Sequence, residues 1–367
     1  MSLGNVIEKV LNKNFSEEVA LKYVGNYQGA FLSYVQWKNI REKAASGGVV
    51  SALLIDSLEN NIIDGALVCK TEVIDHKVRA KFFIAETKEA ILEAQGSTYV
   101  ATKFSSEAIP LIREYQGRLA VVGLPCDLTI LKNKNDEFKN KVVFTIALMC
   151  GHNSQKKLID SVTSNLEKEV SSKLISYRFR EGHWRGNLLA KFENNVVVNK
   201  PFSTFSVYQN LFFFAEKKCL FCYDHFGYDA DFSIGDIWSY KLKDNPIKHN
   251  VIITKTQKAT NILQDIVKRK TLYIESISLS EAIEGQKRAA PFHYNISARS
   301  KVGRLFNLNI PDKVMEKVKW HEYISAFIVL FNWKWSQSKK LSYLIFKIPK
   351  PVMKFYLYIL KGLESLK

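Results

Sequence analysis

The chain has 367 residues, 47% of them hydrophobic and 12% aromatic, which makes it globular, with one large core or two smaller ones. Lys and Arg number 53 against 36 Asp and Glu, and the net charge of +17 favours acidic partners: a phosphate-bearing cofactor, an acidic protein, an anionic membrane or nucleic acid. The charged start MSLGNVIEKVLNKNFSEE does not read as a signal peptide and no apolar run reaches the roughly 18 residues of a spanning helix; the expected compartment is the cytoplasm, where five cysteines are more readily free or metal-bound than paired in disulfides.

Residues 1–40 mix aromatics with charges and are expected to form an N-terminal arm over the main domain. In AASGGVVSALLIDSLENN, Ser46 is a candidate N-cap, and apolar residues from Val49 to Leu58 repeat at helical spacing. Gly47 and Gly48 leave the first turn bare, so it either admits an anionic group such as a phosphate or packs closely against another helix. Strands follow at 62–70, which contains Cys69, and at 78–85, then a helix at 88–95 ended by Gly96, Ser97, Thr98 and Tyr99. A lone mid-strand cysteine reads as a small buried hydrophobe. The small and hydroxyl residues after the helix serve as a cap and turn, or hydrogen-bond a flavin or phosphate.

A helix from Ser105 leads into LAVVGLPCD, a buried strand stopped by Gly123 and Pro125, so that Cys126 falls at its carboxyl end, where open α/β sheets keep their ligands. The pattern recurs in VVFTIALMCG, with Cys150 at the end of a second strand, and residues 128–141 are long enough for a parallel crossover. Alternation of strands and helices over 44–165 gives an α/β class with a mostly parallel sheet. Short strands at 174–180, 187–192 and 196–198 indicate an antiparallel insert, an α+β feature, with a turn at Asn194-Asn195. Within it, RFREGHWRGN places Arg178, Arg180, His183, Trp184 and Arg185 together, suited to an anionic or aromatic ligand or equally to a solvated hairpin tip. A helix over 204–215 delivers the Cys219-Leu220-Phe221-Cys222 turn beside Lys217 and Lys218, and a strand ending at Gly235-Asp236 returns to the site rim.

Beyond Pro311 the character shifts. Residues 317–367 hold ten Lys and two Glu among short apolar runs, giving a basic amphipathic helical tail over 311–367 that either lies on an anionic surface or a partner, or docks on the body. Four thiols at one rim fit a four-cysteine iron-sulfur cluster better than structural zinc, which usually takes two CxxC pairs in a small knuckle.

These segments, ASGGVVSALL, IIDGALV, GSTYV, VVGLPCD, ALMCGHN, CLFCYD, DFSIGDIW and VIITKT, taken in order over 41–310, resemble the beta subunits of coenzyme F420-dependent hydrogenases and dehydrogenases, a family also similar to 7-hydroxymethyl chlorophyll a reductase. The resemblance implies FAD, one 4Fe-4S cluster on Cys126, Cys150, Cys219 and Cys222, and a flavin pocket that includes Ser46, Gly47, Gly48, Gly96, Ser97 and Tyr99, with Asp127, Arg180 and Asp236 as further cofactor contacts. No catalytic acid or base is assigned. It further implies an oxidoreductase that relays electrons from a ferredoxin-like carrier through cluster and flavin to coenzyme F420 or another small-molecule substrate; relatives also occur in polysaccharide and cell-envelope pathways. The preceding ferredoxin-like segment of many relatives is absent, so an external carrier is expected. The rival expectations are a structural zinc scaffold at a membrane-associated assembly and, from charge alone, nucleic-acid binding, for which no recognition motif is present.

Overall fold

A computed structural model describes residues 15–366. The first 14 residues of the expected arm lie outside the described residues. An eight-stranded sheet runs in the order β11-β1-β10-β9-β5-β4-β2-β3, with β1 Gly29–Val35, β2 Gly65–Ile74, β3 Lys77–Ala85, β4 Leu119–Gly123, β5 Val142–Leu148, β9 Phe232–Asp236, β10 Asn250–Thr254 and β11 Leu272–Ser276. Its centre, β2-β4-β5-β9, is parallel, as near-continuous apolar strands buried on both faces require. Antiparallel pairings of β3, β10, β1 and β11 flank it, and β1 points the same way as the four central strands. The class is therefore mixed α/β. A separate antiparallel sheet joins β6 Leu174–Glu181, β7 Asn187–Phe192 and β8 Val197–Pro201, where the insert was expected.

Two local expectations change. Gly29–Val35, read as part of an arm, is a strand inside the large sheet, held by β10 on one side and β11 on the other. It is buried on both faces, Ala30 and Leu32 in one core and Val35 in the other, a pattern hidden by the tyrosines and lysines around it. The helix expected over 204–215 stops at Asn210; Phe212 and Phe214 take positive φ, and the six residues 211–216 carry their rings into the core before the helix that presents Cys219.

The tail docks on the body. Val329, Leu330 and Trp333 of the helix Trp320–Gln337, with Met353 and Leu360 of the helix Lys350–Ser365, share one core with Phe205, Phe213, Phe214 and the small sheet. Trp320, Ile324, Phe327 and Phe331, spaced three and four apart, leave an exposed stripe on the opposite face. Among the described residues no helix is long and apolar enough to cross a membrane.

Candidate functional site

The parallel strands bring the singled-out residues to one rim. After β4 the chain turns at Leu124 into the helix Pro125–Lys132, whose start is closed by Asp127: its Oδ2 accepts from the Leu124 amide at 3.1 Å. That cap fixes Cys126 in the helix's first turn. After β5, the Cys150 backbone is pinned from both sides by His225, whose carbonyl accepts the Cys150 amide at 3.1 Å and whose Nδ1–H donates to the Cys150 carbonyl at 2.9 Å. The short helix Lys217–Leu220 presents Cys219, and Cys222 follows within one turn.

All four thiols line one small cavity, together with His152, Asn153, Lys218 and His293. The space is about 20 Å³, and among the described residues no three His, Cys, Asp or Glu side chains close on one point as ligands of a single ion. The thiols border a space. The Asn153 amide donates to the Cys219 sulfur at 3.3 Å. Burial, followed by the neighbouring negative groups, pushes the Cys126 thiol up to about 12; burial also pushes Cys219 up to about 12 and raises Cys150 and Cys222. Without a cation among them they stay protonated at neutral pH.

A cation stands behind the pair. Arg299 is 1% exposed, and its guanidinium donates to the carbonyls of Cys219 at 3.3 Å, Cys222 at 2.7 Å and His293 at 3.0 Å, while its Nε has no acceptor. No carboxylate among the described residues pairs with it. Burying such a charge costs several kcal/mol unless an anion compensates, and the facing groups are the Cys219 and Cys222 thiols. An anionic group held by the cysteines is the compensation this donor set fits.

The second cavity, about 300 Å³, lies against the first, with Leu124, Cys150, His152 and Asn153 in the wall between them. Of the expected cofactor contacts, Ser46, Gly48, Gly96, Ser97, Tyr99, Asp127, Arg180 and Asp236 all border it. Gly47 does not. A Cβ there would stand 2.9 Å from the Asn250 amide and the Ser33 carbonyl, so Gly47 is small because the helix start packs against β1 and β10. Nor is Ser46 the N-cap: its hydroxyl donates to the His249 carbonyl at 2.7 Å, and the cap is Gly48 with φ +77°, leaving the first turn of the helix Val49–Glu59 facing the cavity.

Arg180 is 5% exposed and fully engaged: Nη1 donates to Asp236 Oδ2 at 2.7 Å, the other nitrogens reach the carbonyls of Ala45, Trp184 and Arg185, and the ring of Trp238 lies 4.7 Å away. Although burial opposes the charge, Asp236 and Tyr99 hold its pKa above the ordinary arginine range. The pair ties the small sheet to the end of β9. His183 stands apart at the hairpin, bonded to the Lys243 carbonyl. Asp127 is 1% exposed; burial raises its pKa while Lys218, 3.6 Å away, opposes. Arg299, Asn250 and the buried histidines 225 and 293 carry no motif and were not singled out from sequence. Asn250 receives the Val49 amide at 3.4 Å and donates to the Gly235 carbonyl, joining the helix start to β9.

Known proteins resemble this chain in sequence and in fold. Residues 30–107 match the family model described as coenzyme F420 hydrogenase/dehydrogenase, beta subunit N-term, and residues 116–280 match its companion model, which describes the carboxyl terminus of the same coenzyme F420 hydrogenase/dehydrogenase beta subunits. The coenzyme F420 hydrogenase subunit beta of Methanosarcina barkeri is 26% identical over 224 residues, covering 59% of this chain and 73% of that one. The subunit of the same name from Methanothermobacter thermautotrophicus is 24% identical over 302 residues, covering 76% and 98%. A chain in the xenon-derivatised F420-reducing NiFe hydrogenase complex from Methanosarcina barkeri superposes with a TM-score of 0.58 at 20% identity, over 80% of this chain and 98% of that chain, a likeness of fold.

Proposed function

Because the chain belongs to the coenzyme F420 hydrogenase/dehydrogenase beta subunit family, we propose that it is an iron-sulfur flavoprotein oxidoreductase in which Cys126, Cys150, Cys219 and Cys222 would hold one 4Fe-4S cluster beside an FAD. The observation that carries this reading is the common wall: Cys150 borders both the four-thiol cavity and the larger one lined by the Ser46–Gly48 and Gly96–Tyr99 segments. Thiolates and the buried Arg299 suit an anionic cluster, and a helix start beside Gly48 suits a flavin's phosphates. When bound, the cluster would supply single-electron transfer and the flavin hydride chemistry. The chain's own part is to hold the two groups close, to keep water from the thiols, and to offer cations at the entrance.

That entrance suits an acidic, ferredoxin-like carrier. Lys217 and Lys218 are exposed beside the CxxC turn, and Lys218 also lines the thiol cavity. The substrate is coenzyme F420 or, in an envelope or polysaccharide pathway where coenzyme F420 is not expected, another small organic molecule. A peripheral membrane contact in the cytoplasm would use the aromatic stripe of Trp320–Gln337 with Lys334, Lys339 and Lys340; failure of Phe327→Ser to weaken sedimentation with anionic vesicles contradicts it. Zinc would require the thiols to close on one ion, and among the described residues no three do.

The test is rapid mixing of the anaerobically purified protein with reduced ferredoxin. Bleaching of iron-sulfur absorbance that precedes flavin reduction, and that at low salt is slower in Lys217→Glu than in wild type with the gap closing as salt rises, supports the relay. A colourless protein that takes no electrons refutes it.

A further inference from the structure

The last helix reaches beyond the flavin-side cavity. A third space, about 340 Å³, opens beside it, and Tyr99, Met149, Gly151, His152 and Asp236 border both. Its far wall is formed by Lys287 and Arg288 with Lys361, Glu364 and Ser365 from the end of the helix Lys350–Ser365. Both family models stop by residue 280, so this wall lies outside the stretch they match.

The chamber is positively biased. Arg185, Lys287, Arg288 and Lys361 line it against two carboxylates, Asp236 and Glu364. Each carboxylate is already engaged. Asp236 accepts from Arg180 at 2.7 Å, and Glu364 accepts from Arg288 Nε at 2.6 Å with its own side chain 5% exposed, which holds the Arg288 guanidinium in place at the wall. Lys287, with Glu284 at 4.0 Å, and Lys361 are each 8% exposed, so their ammonium groups act in a medium where an anion is attracted more strongly than in bulk water. Phe202, Phe212, Trp238 and Phe292 supply flat apolar surface, and Gln209, Asn210 and Gln286 supply amides. Cations at one end with aromatic and amide groups across from them suit an organic anion.

We propose that this chamber is the substrate subsite, taking an organic molecule by a carboxylate or phosphate group held by Lys361 and Arg288, so that the chain's last element selects the substrate. The assignment of the chamber to substrate rests on the flavin reading of its neighbour. It places the tail in the binding machinery as well as in the core.

The experiment is calorimetric titration of the full-length protein with inorganic pyrophosphate at fixed ionic strength. Wild type binds; Lys361→Met weakens the affinity by about tenfold, Lys361→Arg retains it, and Lys354→Met, an exposed lysine on the same helix, stays within about twofold. Absence of pyrophosphate binding to wild type overturns the proposal whether or not the variants fold, as does an equal affinity in wild type and Lys361→Met, or an equal loss in Lys354→Met. The visible spectrum of the same sample decides the flavin separately. A colourless protein with Lys361-dependent binding keeps the anion site and loses the flavin; a yellow one whose affinity ignores Lys361 loses the anion site and keeps the flavin.

Discussion

Arg299 Nη2 donates to the carbonyl of Cys222 at 2.7 Å, which sets a fully buried guanidinium directly behind the second thiol of the CxxC turn. A fixed positive charge there favours the more negative, reduced state of any cluster the cysteines hold, so it raises the reduction potential. In Arg299→Gln the potential falls by about 60 mV, the one-electron equivalent of about 1.4 kcal/mol, measured by EPR-monitored titration. An unchanged potential in a folded, iron-loaded variant removes the electrostatic role.

The five cysteines divide four to one. Ser in place of Cys126, Cys150, Cys219 or Cys222 lowers iron per chain after anaerobic reconstitution to a small fraction of wild type. Cys69→Ser leaves it unchanged, since Cys69 sits within β2, borders the larger cavity and is absent from the thiol cavity. Iron retained in full by any of the first four contradicts the ligand set.

Gly48 sits at φ +77°, and an added Cβ would lie 2.8 Å from Val35 Cγ1. Gly48→Ala therefore combines a left-handed penalty of roughly 1–2 kcal/mol with a clash against β1, and it moves the helix start that faces the flavin-side cavity. Urea unfolding gives the stability loss and fluorescence of released flavin gives the occupancy; both fall. Wild-type stability in the variant would mean that the backbone there relaxes freely.

How much of this was legible in sequence follows from what each residue depends on. Cys126 and Cys150 were readable because an apolar strand stopped by glycine or followed by a thiol is a local pattern, and the parallel sheet puts such ends on one rim. The Gly96–Tyr99 segment was readable as small residues after a helix. Gly47 lies off the cavity lining, against a strand backbone, a placement that a bare glycine does not reveal in sequence. Arg299 was invisible because its tie to the CxxC turn runs to carbonyls 77 and 80 residues earlier, a relation no spacing encodes. The cationic chamber was equally hidden, since residues around 150, 287 and 361 meet only in the fold.

Lys255 gives the pH dependence. It is buried with Nζ donating to the Val24 carbonyl at 2.6 Å, and desolvation lowers its pKa from 10.5 to about 8, with Asp224 and Asp229 opposing the shift. Below about pH 8 the folded and unfolded chains both carry the proton, so the cost of burying the charge is present in full. Between about pH 8 and 10.5 the unfolded chain binds more protons, and stability from this group rises with pH. Relative to Lys255→Met, wild type gains about 2–3 kcal/mol between pH 7 and 10.5 in urea unfolding. A difference that stays constant across that range contradicts the lowered pKa.

The gathering of four distant thiols around one iron-sulfur cluster next to a flavin is tested most directly by elemental and cofactor analysis of anaerobically purified protein, together with its visible spectrum. The account predicts a brown protein with about four iron and four sulfide per chain, one FAD, and broad absorbance that bleaches on reduction. A colourless protein carrying a single zinc and no flavin would contradict it.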